Sequence, residues 1–212
     1  MIDISEIGGV ILAGGKASRM GFRDKALQSL HGKTLLAHVI NRAKPQIASL
    51  VLSVNHNVPH YQKFGLPIVT DHVQNYAGPL LGIFSAMRWF LESEQHRDIK
   101  YLACFAADVP EFPGHVVQAL ARAMPMQSST ATYICHLGQI QPLFSLWNLS
   151  LFDTVEAALT KGNYGPKLLF DPIAAIAVEI DEDSPGAFFN INRLEDLQAA
   201  RQRIGKKLIW TL

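Results

Sequence analysis

Cysteine is scarce: Cys104 and Cys135 are the only two in 212 residues, and they form no C-x-x-C pair. No disulfide framework can be built from them, and both read as buried free thiols of a protein kept in a reducing compartment. An excess of charge of one sign is lacking as well. With 19 Lys and Arg against 18 Asp and Glu, the formal net charge is +1. So small a charge does not hold nucleic acid or an anionic membrane nonspecifically. No apolar run is long enough to span a bilayer. The acids Asp3 and Glu6 ahead of the first apolar run are unlike a secretory leader. A cytoplasmic location, with no nucleic acid and no membrane as partner, is the expectation. The histidines show neither H-E-x-x-H nor Cys/His ligand spacing and read as surface or core side chains.

What is present is an ordinary globular composition, 49% hydrophobic and 17% charged. The length suits one sizeable core, so residues 1–212 are expected to form a single domain. Ile7 to Leu12 reads as a strand, as do Leu50 to Val54 and Pro67 to Thr70. Tyr101 to Ala107 is almost wholly apolar, as befits a central strand buried on both faces. Between them Leu35, Leu36, Val39, Ile40 and Ala43 recur at helical spacing behind Thr34, a natural cap. Further helices are expected from Gly78 to about Glu94 and from His115 to Met124, and Trp89, Trp147 and Phe170 read as packing residues. Alternating strands and helices predict a three-layer α/β/α, Rossmann-like fold with a mostly parallel sheet.

The first strand empties into Gly14-Gly15-Lys16-Ala17-Ser18-Arg19-Met20-Gly21-Phe22-Arg23-Asp24-Lys25. Glycines let a ligand approach the main chain, successive N–H groups form a concavity for anionic oxygens, and several cations follow. This is a phosphate site. It is not a P-loop, because Val10 and Ala17 stand where glycine and a hydroxyl are required. It also lacks the G-x-G-x-x-G dinucleotide pattern. Asn55, Asp71 and Asp108 each close a predicted strand, where open α/β sheets bind ligands. Taken singly, each is also a turn or cap residue; their coincidence at strand ends points to one shared site. A carboxylate at Asp108, before Val109-Pro110, suits Mg²⁺.

Leu12-Ala13-Gly14-Gly15, Arg19-Met20-Gly21 and Asp24-Lys25 resemble the L-A-G-G-x-x-x-R-M-G-x-x-D-K signature of the molybdenum cofactor guanylyltransferase family, with matching spacing throughout. The resemblance implies the nucleotidyltransferase fold and a magnesium-dependent reaction. In it, GMP passes from GTP to the phosphate of molybdopterin, or molybdenum cofactor, and pyrophosphate is released. It further implies that Leu12, Ala13, Gly14, Gly15, Lys25, Asn55, Asp71, Gly78, Pro79 and Asp108 contact the nucleotide. Arg19 and Lys25 are then the catalytic cations on the triphosphate. Asp108 matches the family's metal-holding acid, although Ala107 replaces a frequent cysteine there. Asp24 orients the loop; Lys16 and Arg23 fall at variable positions. Gly78-Pro79-Leu80-Leu81-Gly82 resembles the G-P-L-A-G helix opening near the base, and Asn55 and Asp71 divide base and ribose contacts in an order the sequence leaves open.

The second half resembles the family more loosely. Gln141-Pro142-Leu143-Phe144, and Phe188-Phe189-Asn190-Ile191-Asn192 followed by Glu195-Asp196-Leu197, resemble two further motifs, the asparagines lying on the pterin or metal side. Arg193-Leu194 replaces a usual Thr-Pro, and Gly162-Asn163-Tyr164-Gly165-Pro166-Lys167 lacks an expected arginine. Other cofactor-synthesis proteins or molybdoenzymes are the implied partners. Two rival readings stand beside this one: a related transferase using another nucleotide or acceptor, and a non-catalytic protein that delivers GTP or cofactor.

Overall fold

A computed structural model of the chain describes residues 2–14, 24–71, 78–125, 128–181 and 186–209, the last six of these by backbone alone. In chain order the strands and helices are β1 (Ile7–Leu12), β2 (Ser29–Leu30), β3 (Lys33–Thr34), α1 (Leu35–Ala43), β4 (Ser49–Ser53), α2 (Val58–Gln62), β5 (Ile68–Val69) and α3 (Pro79–Glu92). There follow β6 (Tyr101–Ala106), α4 (Val116–Ala123), β7 (Ala131–His136), β8 (Gln139–Asn148), α5 (Phe152–Thr160), α6 (Lys167–Phe170), β9 (Ile176–Glu179) and α7 (Leu194–Ile209).

Seven strands form one sheet in the order β5-β4-β1-β6-β8-β7-β9, and β2 and β3 form a separate small hairpin. The first four of the seven run parallel. β8 alone is reversed, antiparallel to both β6 and β7, while β9 pairs parallel to β7. The mostly parallel sheet expected from the sequence is therefore observed.

Side chains alternate across the strands, and each face is covered. Ile11, Leu52, Ala103 and Phe105 pack with α1 and α4 on one side; Val10, Val51, Leu102 and Cys104 pack with α3 and α5 on the other. Those two helical layers with the sheet between them are the expected three-layer architecture. A smaller cluster seats Leu197 and Ala200 of α7 against Leu30, Leu35 and Ile191. Thr34 does cap α1, its hydroxyl accepting from the Ala37 N–H at 3.1 Å. Trp147 and Phe170 are buried, and Phe170 stacks on Tyr133 with ring centroids 4.1 Å apart. Cys104 is buried as expected, but Cys135 is only half-buried. Its register partner is Glu179 on β9, the last strand of the sheet, which leaves its thiol on a partly open face.

The β7–β8 hairpin is the element least visible in the sequence. Its turn places Leu137 and Gly138 at φ 49° and 70°, the left-handed geometry of a tight hairpin, although leucine is a poor residue for it. The β7–β8 pairing slips between Tyr133 and Ile134 of β7, whose partners on β8 are Ser145 and Gln141. Pro142, which has no N–H to give a ladder, falls in the unpaired stretch of that bulge.

Candidate active site

Every parallel strand ends on the same edge of the sheet, so the residues just beyond those ends converge. Asp108 lies two positions past β6, where the Ala107 N–H donates to the Leu12 carbonyl at 3.3 Å and holds the turn against the end of β1. Lys25 opens a short 3-10 turn, Lys25–Leu27. Its ammonium pairs with Asp108 Oδ2 and also donates to Asn192 Oδ1 at 2.7 Å. Both charged side chains are mostly sheltered, with 21% and 16% of their side-chain surface exposed. The Lys25 cation thus sits between two oxygen acceptors, one from the middle of the chain and one from near its C-terminus.

Asn192 reaches that position because the chain returns beside the exit of β6. The Ile191 N–H donates to the Asp108 carbonyl and the Phe188 N–H to the Glu111 carbonyl, both at 2.9 Å. Ile191 between them is fully buried. At the start of α7 the Asp196 carboxylate accepts from the N–H groups of Asn192 and Arg193 at 2.8 Å each. A negative side chain suits a helix N-terminus, and these bonds hold the Asn192 backbone in place. The replacement of Thr-Pro by Arg193-Leu194 leaves this anchoring intact.

Asp24, next to Lys25, accepts from Asn57 Nδ2 at 2.7 Å and from the Tyr61 hydroxyl at 3.4 Å. Asn57 takes the left-handed conformation, φ 53°, just before α2. Burial first, and the Asp24 charge second, push the Tyr61 phenol well above its ordinary range, so it stays a donor to Asp24 at any physiological pH.

A second cluster forms at the ends of β4 and β5. Asn55 and Asp71 each lie two residues beyond their strands. They bond to one another twice: Asn55 Nδ2 donates to Asp71 Oδ2 at 2.6 Å, and the Asp71 N–H donates to Asn55 Oδ1 at 2.9 Å. Ser85 of α3 donates its hydroxyl to Asp71 Oδ1 at 3.1 Å. Gly14 lies against this cluster, since a Cβ there would stand 2.9 Å from Asn55 Nδ2. An alanine at position 14 would therefore press directly on the asparagine.

The opening of α3 completes the rim. Gly78 has φ 143°, and a Cβ on it would meet the Tyr164 carbonyl at 2.5 Å, so only glycine fits. Pro79 begins the helix, where its missing N–H is no loss. The Leu80 N–H donates to that same Tyr164 carbonyl at 3.0 Å, which brings residues 162–167 to the helix opening.

The structure thus brings Lys25, Asp108 and Asn192 together, and separately Gly14, Asn55 and Asp71, with Leu12 and Ala13 at the end of β1 and Gly78 and Pro79 at the rim. Asn190 is exposed, and among the described residues its side chain makes no hydrogen bond. Gly15 and Arg19, with Lys16 and Arg23, lie outside the described residues. Three contributors escaped the sequence reading, Ser85, Asn57 and Tyr61, while Asp196 stood in the Glu195-Asp196-Leu197 match with no role assigned to it. Of these, only Ser85 left a usable trace, standing three residues after Gly82 on the same helix face as the recognised opening motif.

Residues 9–176 match the model of the MobA-like NTP transferase domain. A molybdenum cofactor guanylyltransferase of Photobacterium profundum is 35% identical over 92% of this chain and 95% of its own. That of Cupriavidus taiwanensis is 33% identical over 96% of this chain and 100% of its own. Among solved structures, molybdopterin-guanine dinucleotide biosynthesis protein A of Archaeoglobus fulgidus superposes with a TM-score of 0.76 at 21% identity, covering 94% of this chain and 99% of that one. At that identity the superposition speaks to the fold, and the sequence matches speak to descent. With Gly14 and the acids Asp71 and Asp108 at the carboxyl edge of a mostly parallel sheet, and with these sequence matches, the chain belongs to the MobA-like NTP transferase family.

Proposed function

We propose that this protein is a molybdenum cofactor guanylyltransferase, transferring GMP from GTP to the phosphate of molybdopterin or its molybdenum-bound form. An acceptor phosphate oxygen forms a bond to the α-phosphorus of GTP, the bond from that phosphorus to the β-bridging oxygen breaks, and pyrophosphate leaves. No covalent enzyme intermediate is needed if the two substrates are held in line at near-attack distance. The observation that carries the reading is the Lys25 ammonium held between Asp108 and Asn192. It joins the phosphate loop, the end of the central strand and the C-terminal segment in one constellation suited to phosphoryl chemistry.

Within this reading Lys25 and Arg19 bind the triphosphate and offset charge developing on the departing pyrophosphate. Gly14, Gly15 and the main chain of Leu12 and Ala13 cradle the phosphates. Asn55 and Asp71 recognise the nucleoside, with Gly78 and Pro79 beside the base, and Asn190 and Asn192 face the pterin side. Among the described residues no three His, Cys, Asp or Glu side chains cluster as a ready-made metal site. Mg²⁺ does not require one, since it takes one or two carboxylates and fills its shell from phosphate oxygens and water. Asp108, a carboxylate with part of its side chain open at the end of the central strand, fits that demand and would hold the ion. When bound, Mg²⁺ would offset charge on the reacting phosphates.

The direct test measures pyrophosphate release with purified protein, magnesium and intact molybdenum cofactor, comparing GTP with ATP, CTP and UTP. GTP-selective release that requires the cofactor is expected. Release with another nucleotide would move the substrate, and GTP binding without release would favour a delivery protein.

A further inference from the structure

Asp71 is held at both oxygens. Asn55 Nδ2 occupies Oδ2 at 2.6 Å, and the Ser85 hydroxyl occupies Oδ1 at 3.1 Å. A carboxylate offers about four acceptor positions, two on each oxygen. Among the described residues these are its side-chain partners, so each oxygen can accept once more, and a partner with two adjacent N–H donors can address both oxygens of one carboxylate. The Watson–Crick edge of guanine, with its N1–H and 2-amino group, is such a partner.

Ser85 is placed for this role by its helix. It is the half-buried polar residue in a stretch of α3 where Leu80, Leu81, Ile83, Phe84, Ala86 and Met87 are all buried. A serine inside a helix commonly bonds back to its own main chain. This hydroxyl has a single hydrogen to donate, and it gives it to Asp71 across the space between α3 and the end of β5. The helix has little freedom to slide: a Cβ at Gly82, one turn earlier, would stand 2.5 Å from Ser53 Oγ and 2.8 Å from Leu12 Cδ2. The ends of β1 and β4 thereby fix where Ser85 presents its hydroxyl.

We infer that Ser85 is a specificity-positioning residue, locking the plane of the Asp71 carboxylate so that both free acceptor positions meet the guanine edge. Without it the carboxylate is restrained at Oδ2 alone and turns about its Cβ–Cγ bond. The inference rests on the reading of Asp71 as a nucleoside contact, and its test separates the two.

The test titrates GTP, ITP and ATP, each with magnesium, into the full-length protein and its Ser85→Ala, Ser85→Thr and Asp71→Asn variants by calorimetry, alongside thermal melting. ITP lacks the 2-amino group, so the GTP-to-ITP affinity ratio reports two-point recognition. The wild type is expected to favour GTP, Asp71→Asn to lose that preference, and Ser85→Ala to bring the ratio close to one with GTP binding about tenfold weaker. Ser85→Thr, which keeps the hydroxyl, restores the ratio. A Ser85→Ala protein with the wild-type ratio, beside an Asp71→Asn protein that has lost it, would overturn the role of Ser85 alone. If Asp71→Asn keeps the wild-type ratio, base reading by Asp71 fails, and the inference falls with it. Equal loss of GTP, ITP and ATP binding in Ser85→Ala would mean a structural role and would also overturn the inference.

Discussion

The two halves of the sheet are built differently. On one side β5, β4, β1 and β6 run parallel as short apolar segments, and each ends at a polar or glycine residue on the same edge. On the other, β8 and β7 form a long bulged hairpin closed by β9, with Trp147, Phe144 and Phe170 filling the space around it. The parallel half gathers the candidate site residues at one edge because all its strands point the same way; the antiparallel half mainly supplies packing. One group crosses between them. Asn192 comes from beyond the antiparallel half and is delivered to the end of β6 by main-chain bonds at Ile191 and Phe188.

That division of labour can be broken in graded steps. Asp108→Ala strikes the parallel half at its chemical end and should lower turnover about a thousandfold without unfolding the sheet. Steady-state kinetics within tenfold of wild type would remove Asp108 from the chemistry. Trp147→Ala strikes the other half. Trp147 is fully buried and donates to Ser145 Oγ at 2.8 Å. Its truncation should cost about 3 kcal/mol in denaturant unfolding. A loss below about 1 kcal/mol would deny the hairpin its packing role.

A smaller effect separates the halves by pH. Burial pushes the Cys104 thiol, on β6, up to about 12, whereas an unfolded thiol ionises near 8.5. Its contribution is therefore complete below about 8.5 and is lost as pH rises toward 12, because the unfolded chain sheds the proton first. Stability should fall by about 2 kcal/mol between pH 8 and 10 from this group, and Cys104→Ala should flatten that slope. An unchanged slope in the variant would show that the thiol is not the cause. Smallest of all, Asn192→Ala should slow turnover about tenfold, the worth of one charge-assisted hydrogen bond. Since Asp196 and Ile191 hold the backbone, melting should not change. A fall in melting temperature with normal turnover would make Asn192 a structural residue instead.

How much of this was legible varied with the range of the signal. The parallel half could be read from local runs: Ile7–Leu12 was expected and found to the residue, and Tyr101–Ala106 fell one residue short of the expected strand. The hairpin could not, because Pro142 and Leu137 are wrong for a strand and a tight turn when taken alone. Burial of Phe144, Leu146 and Trp147 against the core outweighs those preferences. Within the site, Gly14, Lys25, Asn55, Asp71 and Asp108 were singled out in advance by type and position. Asn57 and Tyr61 were not, since an ordinary asparagine or tyrosine carries no mark of the acid it will meet, and Ser85 was passed over although it stands one helical turn after the recognised opening motif.

By itself the sequence determined the class of fold, the glycine- and cation-rich segment after the first strand and the kinds of side chain waiting at the strand ends. Hydrophobic periodicity and glycine chemistry act over a few residues, so they can be read without a fold. Only the tertiary structure decided which of those groups meet. Lys25 lies 83 positions from Asp108 and 167 from Asn192, and their contact depends on a sheet order and a returning C-terminal segment. Burial and main-chain hydrogen bonding set that arrangement collectively, and no local stretch of chain contains it.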